Sequence, residues 1–135
     1  ARARDNVQLL GPQPEAAVLE AMQGCEAFVF AGEEDFGMVM AEAQACGKPV
    51  VAFTRGGAAE IVNHGVTGIL FPEQSVDSIL DGLEQCRRSS FDPDVIRESA
   101  LRFDRNRFSS EFSAFVNRVT RNNASPAPSY ADTRR

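Results

Sequence analysis

Residues 27–53 read AFVFAGEEDFGMVMAEAQACGKPVVAF, and this stretch decides the fold. Ala27-Phe28-Val29-Phe30-Ala31 is apolar at every position, and so is Pro49-Val50-Val51-Ala52-Phe53. Unbroken rather than alternating apolarity is the pattern of a strand covered on both faces, as in a parallel sheet. Between the two runs, Gly37 to Cys46 is rich in Met and Ala. It ends at Gly47, with Pro49 shortly after, which is the stop signal of a helix. Strand, helix and strand joined by short loops make one parallel crossover unit.

The same alternation extends in both directions. Upstream, Pro14 to Gly24 reads as a helix, with Ala17, Val18 or Leu19, and Met22 at near-helical spacing. Ahead of it, Val7-Gln8-Leu9-Leu10-Gly11 is a short apolar run closed by Gly-Pro, which predicts a strand and its turn. Downstream, Gly56-Gly57 opens a short helix over Ala58 to Asn63, and Gly68-Ile69-Leu70-Phe71 is a further strand. Ser75 to Arg88 is a helix with Val76, Ile79, Leu80 and Leu83 on one face. The fold class is therefore α/β, a doubly wound parallel sheet. After Arg88 the strands stop. Asp94 to Arg102 and Arg105 to about Asn122 read as C-terminal helices, the second with an apolar stripe of Phe108, Phe112, Phe115, Val116 and Val119. Residues 123–135 hold Pro, Ser, Ala and Arg without an apolar run and read as a disordered tail, so the expected domain is 1–122.

Composition limits the function. The chain has 135 residues, 43% of them hydrophobic and 24% charged, which fits one globular domain and excludes a fibrous or wholly disordered chain. The net charge of −5 is uneven: residues 1–86 carry −9 and residues 87–135 carry +4. A surface at −9 repels a phosphate backbone, so nucleic-acid binding is not expected. Three Cys without a CxxC pair and one His argue against a zinc site or a disulfide framework, and fit a reducing cytoplasm. No apolar run reaches the roughly 20 residues of a membrane span. Ala1 opens a polar stretch with no starting Met, which reads as a fragment or a processed product.

The chemistry is expected where the first buried strand ends. In an open α/β sheet the ligand crevice lies at the carboxyl ends of the strands. Glu33, Glu34 and Asp35 fall at that rim, next to a helix N-terminus with its free N–H groups. Seven residues separate Glu34 from Glu42, which puts Glu42 on the second turn of the helix. A carboxylate accepts through two oxygens, which suits two adjacent ribose hydroxyls, and Glu34 can accept from a second ring. Gly37 lets a ligand approach the backbone. The plainer reading stands beside this one: acidic residues suit a helix start, and Glu42 suits a wet helix face. Likewise Gly56-Gly57 is an anion-binding turn or a helix start, and His64 reads as a helix-end residue. The Phe stripe, flanked by Arg105, Arg107, Arg118 and Arg121, reads as core packing, with a peripheral membrane contact as the alternative. A dinucleotide site is disfavoured because no G-x-G-x-x-G follows any strand.

EEDFGMVMAEAQACGKPVVAF, followed by RGGAAEIVNHGVTGILF, resembles the donor-binding half of the retaining glycosyltransferases of family 4, which have the GT-B fold. Their mark is a Glu, seven residues and a second Glu, with Phe-Gly two residues after the first; Glu34, Phe36-Gly37 and Glu42 match it. The Gly-Lys-Pro-Val-Val strand, the Gly-Gly-x-x-Glu turn and the Gly-x-Thr-Gly turn follow in order. The resemblance runs from about Asn6 to Val119 and is nearest to bacterial mannosyltransferases that build O-antigen or exopolysaccharide repeats.

The resemblance implies a nucleotide-sugar donor, GDP-mannose, and transfer of the sugar with retention to a glycan or lipid-linked acceptor at the cytoplasmic face of the membrane. It implies that Glu42 holds the ribose and that Glu34, as donor-positioning and catalytic-site residue, holds hydroxyls of the donor sugar. Phe36, Gly37 and Met38 line the sugar and diphosphate, and Gly11 and Gln13 lie near the base. No metal and no cofactor are implied. The chain then corresponds to a Rossmann-like GT-B C-terminal domain without its first two strand–helix units, and an N-terminal domain is missing. The cations that neutralise the diphosphate are not expected from Lys48 or Arg55, which fall at the wrong end of the helix or in a separate turn. A non-catalytic nucleotide-sugar binding module is the rival reading.

Overall fold

The computed structural model describes residues 5–122. Within the unit that ends at Arg102 the elements are α1 (Glu15–Gly24), β1 (Phe28–Phe30), α2 (Met38–Ala45), β2 (Val50–Phe53), α3 (Ala58–Ile61), β3 (Gly68–Phe71), α4 (Val76–Arg88) and α5 (Pro93–Ala100). A 3-10 turn, Leu101–Phe103, follows α5. The second unit, from Phe103 on, contains α6 (Arg105–Asn122). The expected tail over 123–135 lies outside the described residues.

The sheet is parallel throughout, in the order β1-β2-β3. That is the order expected for the last three strands of a doubly wound sheet. β2 is buried along its whole length, because it has a strand on each side and helices on each face. On one face, Val51, Phe53, Ile69 and Phe71 pack with Cys86 of α4, and Ile79 and Leu83 close over them. On the other lie Met40, Ala43 and Gln44 of α2, Ile61 of α3 and Ile96 of α5, all buried. Burial raises the pKa of the Cys86 thiol, which keeps it protonated and inert.

Local chemistry explains the ends of the helices. Ser75 caps α4 by accepting from the Ser78 amide, and Asp92 caps α5 by accepting from Asp94, with Pro93 in the first turn. α2 begins at Gly37, whose φ of 82° is left-handed and suits glycine.

One expected element is corrected. Residues 7–10 form no strand; they run extended and exposed, with Leu9 at 87%. A strand needs a partner for its N–H and C=O groups, and no described segment supplies one. These residues do not pair with β1 either: β1 bonds only to β2, its outer edge is open, and Val29 is 43% exposed. An apolar run becomes a strand only beside another.

Candidate functional site

All three strands point the same way, so three loops gather at their carboxyl ends: residues 31–37 after β1, 54–57 after β2 and 72–75 after β3. The first two lie backbone against backbone. The Gly57 amide donates to the Glu34 carbonyl at 2.7 Å. A Cβ on Gly56 would overlap the Glu34 carbonyl oxygen, and one on Gly57 would overlap the Phe36 carbonyl oxygen. Gly56 also has a φ of 61°, in the left-handed region. Both glycines are therefore required by contact, and Gly57 is also the residue at which α3 starts. The third loop joins through Gln74, whose Nε2 donates to the Ala31 carbonyl at 2.7 Å.

This frame holds the acidic rim. Glu33, Glu34 and Asp35 are exposed, as are Phe36 at 54% and Met38, while Gly37 is buried at the start of α2. Glu34, Phe36, Gly37 and Met38 follow one another along this loop into the first turn of α2. Arg55 follows β2 in a turn whose glycines, Gly56 and Gly57, meet the Glu34 loop through the backbone.

Glu42 is exposed one turn into α2. It lines a hollow of about 600 Å³ with Leu19, Gln23, Ala45, Cys46, Lys48 and Arg97. Glu34 is not among the residues that line that hollow. Gly11 and Gln13 are exposed ahead of α1, and Gln13 Nε2 donates to the Leu10 carbonyl at 2.7 Å, closing a local turn. His64 is structural: its Nδ1 accepts from the Leu70 amide at 3.0 Å, which ties the loop after α3 to β3. Behind the site, Gln44 is fully buried; its Nε2 donates to Thr67 Oγ1 at 2.9 Å, and its Oε1 has no partner. Among the described residues no three His, Cys, Asp or Glu side chains gather as metal ligands would, and no helix is long and apolar enough to cross a membrane.

With that geometry in hand, likeness to known proteins decides the family. The model of "Glycosyl transferases group 1" matches residues 1–105. The chain belongs to the group 1 glycosyl transferases. A D-inositol 3-phosphate glycosyltransferase of Kribbella flavida is 54% identical over 50 residues, 37% of this chain and 12% of that protein. Anabaena HepE, solved with UDP and glucose, superposes with a TM-score of 0.58 at 30% identity, covering 73% of this chain and 28% of HepE. The lipopolysaccharide outer core galactosyltransferase WaaB, in its apo form, gives a TM-score of 0.62 at 20% identity over 80% of this chain and 32% of its own, a likeness of fold alone. This group 1 glycosyl transferase chain therefore has the GT-B type of α/β fold and spans a third or less of each of these proteins' length.

Proposed function

We propose that the chain is the donor-binding part, residues 1–122, of a retaining glycosyltransferase that takes GDP-mannose and passes the sugar to a glycan or glycolipid at the cytoplasmic face of a membrane. An N-terminal domain completes it on the acceptor side. The single observation that carries the reading is the clasp of the Glu34–Gly37 loop by the Gly56–Gly57 turn, at the carboxyl ends of two adjacent parallel strands, in a chain of this family. A backbone held this firmly presents Glu34 and the amides near Phe36 and Gly37 without reorganisation, which is what recognition of sugar hydroxyls and phosphate oxygens needs.

In this reading Glu34 accepts hydrogen bonds from the donor sugar and Glu42 accepts them from the ribose. Met38 lines the sugar, and Gly11 and Gln13 border the base. Charge at the leaving diphosphate is met by cations from outside residues 5–122 rather than by Lys48 or Arg55. Anabaena HepE is solved with UDP-glucose, which makes that donor the comparison for GDP-mannose. The test is made in the full-length protein with both donors. Glu42→Gln should weaken GDP binding by about 1.5 to 3 kcal/mol, the worth of a charged hydrogen bond. Glu34→Gln should spare GDP and depress transfer. Equal GDP affinity in Glu42→Gln and the unaltered protein removes the ribose assignment, and donor binding without transfer favours the non-catalytic module.

A further inference from the structure

The clasp on the Glu34 loop depends on α3, and α3 is a single turn of four residues. A helix this short does not sustain itself, because nucleation costs more than one turn of hydrogen bonds returns. Its ends must be held from outside. At the front, the Gly57 amide is spent on the Glu34 carbonyl, 2.7 Å away. At the rear, Arg102 reaches back from the 3-10 turn after α5, and its Nη2 donates to the Glu60 carbonyl at 2.7 Å and to the Ile61 carbonyl at 2.8 Å. These are the last two carbonyls of α3. Gln44 Nε2 lies 3.4 Å from the same Ile61 oxygen. A guanidinium suits this task, since its charged N–H groups lie in a fixed plane and make short, strong bonds to two acceptors at once.

We propose that Arg102, some 40 residues further along the chain than the carbonyls it grips, is a positioning residue for the donor-sugar loop. It fixes the rear of α3. The front of α3 then holds the Gly56–Gly57 turn against Glu34 and Phe36, and through them sets where the Glu34 carboxylate stands. Its effect falls on the sugar end of the donor more than on the nucleotide end, because Glu42 sits on α2 and is not part of this clasp. The role in donor binding rests on the glycosyltransferase reading, whereas the mechanical brace does not.

The experiment has two arms. In the first, amide hydrogen exchange is followed residue by residue in the 135-residue chain and its Arg102→Met and Arg102→Lys variants. Met keeps the apolar stem and removes every donor; Lys keeps one charged donor group. In Arg102→Met the Gly57 and Val62 amides should exchange about tenfold faster or more, while Val51 and Ala52 in β2 keep their protection, the signature of local rather than global opening. Arg102→Lys should fall between. Unchanged Gly57 exchange in Arg102→Met overturns the brace, whatever the donor does. In the second arm, the full-length protein is titrated with GDP-mannose, UDP-glucose, GDP and UDP. Arg102→Met should weaken the better-bound sugar nucleotide several-fold relative to its own nucleoside diphosphate. An unchanged ratio, with both affinities falling together, marks general destabilisation and overturns the positioning role. If the unaltered protein binds neither sugar nucleotide, the glycosyltransferase reading fails, and the exchange arm still decides the brace.

Discussion

Two neighbouring strands of the sheet are made of the same kind of sequence and behave in opposite ways. Ala27–Ala31 and Pro49–Phe53 are both unbroken apolar runs. The second becomes β2, buried at all four positions between two strands and two layers of helix. The first becomes a three-residue edge strand with an exposed Val29, and the apolar run before it, residues 7–10, becomes no strand at all. Apolar content sets how much a segment stands to gain from burial. What it does gain depends on its neighbours. β2 has a strand on each side, and β1, among the described residues, has one.

Core truncation on the two sides should separate most. Met40 is fully buried under the β2 side, so Met40→Ala should cost about 2 to 5 kcal/mol through lost burial and a residual cavity. Leu9→Ala on the open side should stay within about 0.5 kcal/mol. Urea unfolding of both variants measures the contrast, and comparable losses would mean that the segment over 7–10 is packed in solution. Next in size is the clasp. Gly57→Ala places a methyl on the Phe36 carbonyl and should cost about 3 kcal/mol, whereas Gly24→Ala, where a Cβ meets nothing within 4 Å, should be near neutral or slightly favourable.

The polar centre beneath the site comes third. Gln44→Leu alone should cost about 1 kcal/mol, because it removes the amide that donates to Thr67 Oγ1. Combining it with Thr67→Val should cost less than the sum of the two single changes, since each alone strands a partner. Strict additivity in a double-mutant cycle would contradict that bond. At the open edge, Val29→Lys should leave the urea midpoint nearly unchanged and reduce self-association in sedimentation, because a charge on an exposed edge discourages strand addition.

The smallest effect is electrostatic and lies away from both sides. Glu84 of α4 is held down to about 2, chiefly by its hydrogen bond with Arg87 and then by Arg88. A carboxyl whose folded pKa lies below its unfolded value adds stability that is present above the ordinary carboxylate range. That stability is lost as pH falls through the folded value. Glu84→Gln should therefore flatten the acid loss of stability between roughly pH 4.5 and 2 and change little at pH 7, as exposed pairs contribute little there. An unchanged acid profile would show that the pair does not persist in solution.

Much of this was legible in the sequence because helix signals and buried-strand signals are local. Gly37 and Gly47 bracket α2, Ser75 caps α4, and Pro93 starts α5. The Glu34-x7-Glu42 spacing with Phe36-Gly37 singled out the loop that the Gly56–Gly57 turn grips. Other features depend on residues far apart in the chain. Gln74 braces Ala31 across 43 positions and Arg102 braces Glu60 across 42, and neither distance leaves a periodic trace. The strand expected over 7–10 failed for the converse reason: its signal was local, and no described segment pairs with it.

The central claim is that a sugar nucleotide is received at the clasped loops on the carboxyl edge of the sheet. It is tested most directly by titrating the isotope-labelled chain with GDP-mannose and UDP-glucose while following backbone amide shifts. The account predicts that Phe36, Gly37, Gly57 and the first turn of α2 move together, and that Gly57→Ala abolishes the response while β2 and β3 remain folded. Shifts gathered instead around Cys25, Leu83 and Phe91, which line a hollow of about 700 Å³ at the amino ends of β1 and β2, or none with either nucleotide at millimolar concentration, would contradict it.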